Sequence, residues 1–122
     1  MGGSASTGGS GELCSGNPYM GICWYLAAPG VSCNEMCAAH GGYLPSATKY
    51  VGTPAQGGDR SQCAAILQAF GYPGTVQSGT RSDGRGLGCH RFSGTDLWWL
   101  SSPDFDPADS YPSAEVVCGC KQ

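Results

Sequence analysis

The sequence predicts an α+β fold: a small disulfide-rich domain in which two short helices pack on an antiparallel sheet, joined by long loops. Three observations carry that expectation. Eight cysteines, an even number, lie between Cys14 and Cys120. Two segments have helix start and stop signals, and four others have strand composition. The 21 Gly and 8 Pro break the chain between them, and only 12% of residues are charged, so connectors make up much of its length. A chain of 122 residues buries roughly 65% of the surface its unfolded form would expose. Its interior is modest, and covalent cross-links would help it.

The elements follow in order. "GGSASTGGSGE" (2–12) has no apolar side chain to hold it down and reads as a flexible tether. Residues 1–12 are therefore expected to be a Gly/Ser linker, either a stalk or an engineered remnant, with a single stapled domain over 13–122. "GICWYLA" (21–27) has strand composition. The first helix starts at Ser32, because Ser32-Cys33-Asn34-Glu35 has the S-x-x-E form of a capping box. Gly41 and Gly42 end it, since glycine takes the left-handed position past a helix without strain. The second helix has Asp59 as N-cap and runs through "RSQCAAILQAF" to Gly71, with Cys63, Ile66, Leu67 and Phe70 on one face. "LGCHRF" (87–92), "LWWLS" (97–101) and "AEVVCGCK" (114–121) are the remaining strands. The stretches 71–88 and 102–113 read as connectors.

Three chemistries compete for the cysteines. Structural zinc needs two C-x₂₋₄-C knuckles. Cys33-x₃-Cys37 would serve as one, but Cys118-x-Cys120 is too tight for the other, even with His40 and His90 spare. A redox centre is typically a C-x-x-C at a helix N-terminus, and the chain has none. Disulfides remain, so Cys14, Cys23, Cys33, Cys37, Cys63, Cys89, Cys118 and Cys120 are expected to form four bridges in an oxidising compartment. Cys33 and Cys37 share a helix face, and Cys118 and Cys120 share a strand face. At least one bridge is expected to join the first helix to the last strand. Eight cysteines allow about 105 pairings, so the full connectivity stays open.

The net charge of −3 offers no basic stripe for nucleic-acid phosphates. No run approaches the ~20 apolar residues of a membrane span. Met1 is followed at once by Gly and Ser rather than by a leader. Export to the cell surface or medium is thus expected to depend on a segment outside these residues.

The run "CWYL", "SCNEMCAAHGGYL" and the closing cysteine-bearing strand resembles, at a distance, the opening and end of a C-type lectin-like domain. In that fold a disulfide ties the first helix to the last strand. The lectin calcium motifs Glu-Pro-Asn, Gln-Pro-Asp and Trp-Asn-Asp are absent, so no sugar ligand set is carried over. A fuller resemblance is to a poorly characterised family of cysteine-rich domains in exported bacterial proteins. It rests on Cys23–Leu26, Ser32–Tyr43, Cys63–Leu67, Gly86–Cys89, Trp98–Pro103 and Cys118–Cys120. That family occurs on lipoproteins, on stalked surface proteins and at fibre tips of predatory bacteria. The resemblance implies surface display and adhesion, with no chemistry attached.

"DLWWLSSPDFDPADSYPSAE" (96–115) is the most unusual stretch. Trp98 and Trp99 are adjacent, so on a strand they face opposite sides and one should lie outside the core. An indole beside carboxylates suits a pyranose, whose C–H face covers the ring while its hydroxyls meet the acids. In the alternative, both indoles pack. Asp104, Asp106 and Asp109 with Ser110 offer oxygen ligands for calcium, but the spacing is not an EF-hand and the interleaved prolines equally suit an ordered turn. Arg81, Arg85 and Arg91 offer forks for anionic groups, or form a solvated loop. His40 and His90 have no nucleophile at a recognisable motif.

The expectation is a non-catalytic adhesion domain that needs no cofactor. It binds a glycan or envelope polysaccharide through Trp98, Trp99, Asp104, Asp106 and Tyr111, with Arg91 and His90 behind them. The alternatives are a structural or oligomerising tip module, trimeric if borne on a fibre and binding a protein, and a weak glycoside hydrolase using the aspartates.

Overall fold

A computed structural model describes residues 14–122; the tether expected at 1–12 lies outside the described residues. Its frame is a six-stranded sheet of β1 (Asn17–Tyr19), β2 (Ile22–Leu26), β3 (Gln77–Thr80), β4 (Cys89–Phe92), β5 (Asp96–Ser102) and β6 (Ala114–Cys120), in the order β1-β2-β6-β4-β5-β3. Neighbours are antiparallel except at one edge, where β3 runs parallel to β5. The sheet is therefore mixed and the fold α+β. The four strands read from composition are β2, β4, β5 and β6. The other two are short edges. β1 exists because Met20 and Gly21, both at positive φ, make a two-residue hairpin that folds Asn17–Tyr19 back on β2. β3 lies inside the connector expected over 71–88, and its Gln-Ser-Gly-Thr composition gives no strand signal.

The helices are α1 (Cys33–Cys37), α2 (Thr48–Val51) and α3 (Arg60–Ala69). The capping box of α1 forms as the spacing requires. The Glu35 amide donates to Ser32 Oγ at 3.1 Å, and the Ser32 amide donates to Glu35 Oε1 at 2.9 Å. A 3₁₀ turn over Ala38–His40 continues the helix until Gly41, at φ 80°, reverses the chain. Asp59 caps α3 by accepting from the Gln62 amide at 2.8 Å, and Cys63, Ile66 and Leu67 form its buried face. The single turn of α2 has no cap of its own and lacks the periodicity a longer helix would show.

Pairing register decides which face each helix covers. His90 lies opposite Val116 and Trp98, while Cys89 lies opposite Trp99. Side chains alternate along a strand, so Ala114, Val116, Cys118 and Cys120 share a face with His90, Phe92 and Trp98. Glu115, Val117 and Gly119 share the other with Cys89, Arg91 and Trp99. Both cysteines of α1 reach the first face, through Cys33–Cys118 and Cys37–Cys120, each at a Cα separation of 5.2 Å. Cys63 of α3 reaches the second through Cys89, and Cys14 ties to Cys23. All eight cysteines are paired. α1 and α3 thus sandwich the sheet, each stapled to its own side.

The second face carries most of the core. Trp24 is wholly buried there, donating its indole N–H to the Tyr19 carbonyl at 3.0 Å with Tyr50 edge-on at 5.9 Å. Burying an indole of that size contributes up to about 5 kcal/mol. Room for it depends on Gly119 directly across the ladder, where a Cβ would stand 2.4 Å from Ala47 Cβ and 3.1 Å from the Trp24 ring. On the first face α1 covers only the β2–β6 half, and the β4–β5–β3 half has no helix over it. Among the described residues no helix is long and apolar enough to cross a membrane.

Candidate functional site

The uncovered half-face holds a cleft of about 250 Å³, lined by Gly79, Thr80, Arg81, His90, Phe92, Asp96, Trp98 and Leu100. Alternation builds it. β4 contributes His90 and Phe92, and β5 contributes Asp96, Trp98 and Leu100 from the facing positions. His90 and Leu100 are buried at 2% and 3% exposure and make the floor. Phe92 and Trp98 are half-buried walls, and Asp96 and Thr80 stand exposed on the rim.

Trp98 leans onto the edge strand. A Cβ at Gly79 would lie 2.9 Å from Cζ3 and 3.3 Å from Cε3 of the indole. The ring therefore lies down against backbone where any other residue would push it off. Gly79 is a seat for the platform.

His90 is the buried polar group of the floor. Its Nδ1 lies 3.0 Å from the Gly88 carbonyl. A carbonyl only accepts, so Nδ1 carries the proton and Nε2 of the neutral ring keeps its lone pair. Burial pulls the imidazole pKa down to about 4, against the opposing effect of the Gly88 bond and with help from the nearby Arg81 cation.

The remaining wall is a stack. Tyr111 lies on Phe92 with centroids 5.9 Å apart, and the Arg81 guanidinium lies over the Tyr111 ring at 4.3 Å. Arg81 is also forked onto Asp83, Nε to Oδ1 at 3.1 Å and Nη2 to Oδ2 at 2.6 Å. That bond, joined by the Arg85 amide, holds the Asp83 carboxyl down to about 2. The cation on the cleft lining is thus engaged by Asp83, a carboxylate it shares with Arg85 at 3.9 Å.

The eight lining positions include Trp98 and His90 of the seven ligand residues expected from sequence, with Tyr111 one layer behind them. Four lie elsewhere. Trp99 is in the core at 7% exposure and donates its indole N–H to the Gly52 carbonyl at 2.9 Å. Arg91 faces the α3 side, paired with Glu115 at 2.9 Å and laid over Tyr72 at 3.9 Å. Asp104 accepts from Thr53 Oγ1 at 2.7 Å, and Asp106 from the Ala108 amide within its own turn. A ligand in the cleft reaches none of these four. Asp109 accepts from the Gly86 amide at 2.7 Å, so the three calcium candidates serve three separate partners. Among the described residues no three metal-ligating side chains converge. Asp106 thus stabilises a local turn, while Asp104 and Asp109 tether the segment to Thr53 and Gly86.

Phe92, Asp96 and Leu100 escaped sequence reasoning, although a signal for them existed. Each is two positions from His90 or Trp98, so extending the period-two pattern puts all three on the same face. Gly79 and Thr80 had no such signal, because their strand was not legible. Comparison with protein-family models, curated proteins and solved structures gives no match.

Proposed function

We propose that this chain is a surface-displayed recognition domain that binds a glycan in the cleft on the uncovered half of its sheet. One observation carries the reading. Trp98 is held flat on Gly79 at the side of a cleft whose floor offers a hydrogen-bond acceptor, and this pairs an apolar ring face with a polar contact as a pyranose requires. The four disulfides and the resemblance to exported bacterial cysteine-rich domains support display outside the cell. Binding is favoured over turnover because Asp96 is the single carboxylate on the lining, whereas glycoside hydrolysis ordinarily uses two flanking the bond.

A glycan array followed by titration of indole fluorescence tests the proposal. Binding to at least one glycan is expected, lost at least tenfold in Trp98→Ala and unchanged in Asp104→Asn. Gly79→Ala should weaken it in the same direction by displacing the ring. An array without any sugar-dependent signal, or binding indifferent to Trp98, overturns the proposal. A stable trimer without sugar binding would instead support the assembly-module alternative.

A further inference from the structure

The acceptor on the cleft floor narrows the ligand class. His90 Nε2 has no hydrogen-bond donor facing it among the described residues, although the side chain is 98% buried by its 2% exposure. A buried acceptor left unmatched is unfavourable, and native structures rarely keep one without a partner. The groups around it do not supply that partner. Val116, registered on one side, has no donor in its side chain, and the Trp98 indole on the other makes no hydrogen bond to the ring. Arg81 spends its Nε and Nη2 donors on Asp83, and its plane stacks on Tyr111. Asp96 on the rim is a second acceptor.

We infer that the cleft reads one neutral sugar ring, with a ligand hydroxyl donating to Nε2 of His90 and a second hydroxyl donating to Asp96. The inference rests on the glycan reading above and adds three constraints to it. Two acceptors demand a ligand with two donors, which a diol edge supplies. An anionic sugar is disfavoured, because its carboxylate would face a lone pair and the Asp96 carboxylate, while the Nε and Nη2 donors of Arg81 are already engaged by Asp83. The volume of about 250 Å³ lies below the range of roughly 300–1,000 Å³ typical for larger ligands, so one ring fills it. The ring's C–H face lies on Trp98 and its hydroxyl edge points down to the floor. His90 is then a specificity-determining residue that needs no charge to act.

The test uses ¹⁵N-labelled protein with methyl glucoside, galactoside and mannoside as neutral probes and methyl glucuronoside as the acidic one. Long-range proton–nitrogen spectra report each imidazole nitrogen of His90 separately. At least one neutral glycoside is expected to move Nε2 upfield, the direction for a nitrogen that starts to accept a hydrogen bond, while Nδ1 stays on Gly88. The glucuronoside is expected to bind at least tenfold more weakly, and a disaccharide within threefold of its methyl glycoside. His90→Phe should lose at least tenfold in affinity; since that variant sits on a buried floor, the wild-type Nε2 shift decides the matter if it fails to fold. Sugar binding through Trp98 with an unmoved Nε2, or equal affinity for the acidic probe, overturns this inference and leaves the recognition reading standing. Absence of binding by any glycan removes both.

Discussion

At the scale of residues, His90 shows how one side chain links stability to the site. Burial holds its pKa at about 4, against an ordinary value of 6.5. The unfolded chain therefore binds a proton that the folded one refuses, and only between those two pH values. Stability is complete above about pH 6.5, falls as pH drops toward 4, and levels off below it. The whole effect amounts to about 3 kcal/mol. The charged groups nearest the ring are Arg81, which opposes protonation, and Asp96 on the rim; Val116 and Trp98 on the flanking strands do not titrate. Denaturant unfolding at pH 7 and at pH 4 should reveal this slope, and His90→Gln should flatten it. A wild-type profile with no such slope would mean the ring is better hydrated than its packing implies. The same residue was legible in sequence as a spare histidine beside a cysteine and as a secondary ligand candidate. What makes it distinctive, burial with one nitrogen unmatched, is created by the β4–β6 ladder, which joins residues 26 positions apart in chain order between His90 and Val116.

At the scale of elements, the twin bridges between α1 and β6 are the clearest case of sequence dictating structure. The i, i+4 spacing of Cys33 and Cys37 meets the i, i+2 spacing of Cys118 and Cys120, and both pairs close. The bridges span sequence separations of 85 and 83, so they close nearly the same loop. Either one alone removes most of the chain entropy, on the order of 4 kcal/mol, and the second mainly fixes the tilt of the helix. Replacing Cys33 and Cys118 together by alanine, or Cys37 and Cys120 together, should therefore cost much less than removing all four. The quadruple variant should lose more than the sum of the two doubles, which melting temperatures of the three variants will show. Strict additivity would contradict a shared loop. Elements without a local signature were the ones that sequence reasoning missed. β1 depends on a hairpin closed by a methionine at positive φ, and β3 is a strand only because β5 lies alongside it. Tertiary pairing overrides weak propensity in both.

At the scale of the whole molecule, the covalent frame and the α+β class were legible, whereas the site was legible only in part. Cysteine number and capping boxes are local facts, readable one segment at a time. The uncovered half-face arises because both cysteines of α1 are bridged to β6, so the helix runs along that strand rather than across the sheet over β4 and β5. No local pattern states that. The frame predicts that alkylation of the folded protein labels none of the eight cysteines, and that all become reactive after reduction under denaturing conditions; mass measurement before and after reduction checks this. Any thiol modified without reductant would break the scheme of four bridges.

The hydroxyl of Tyr25 has a wider consequence. It receives a hydrogen bond from Ser15 Oγ at 2.7 Å and donates one to the Gln122 carbonyl at 2.8 Å. Entry to and exit from the described chain thus meet at a single phenol on β2, three strands away from β5 and its indole. With neighbouring strands spaced about 4.8 Å apart, this junction and the cleft sit at opposite ends of the sheet. Whatever is joined at Ser15 or at Gln122 therefore meets the sheet at β2, clear of the cleft carried by β4, β5 and β3.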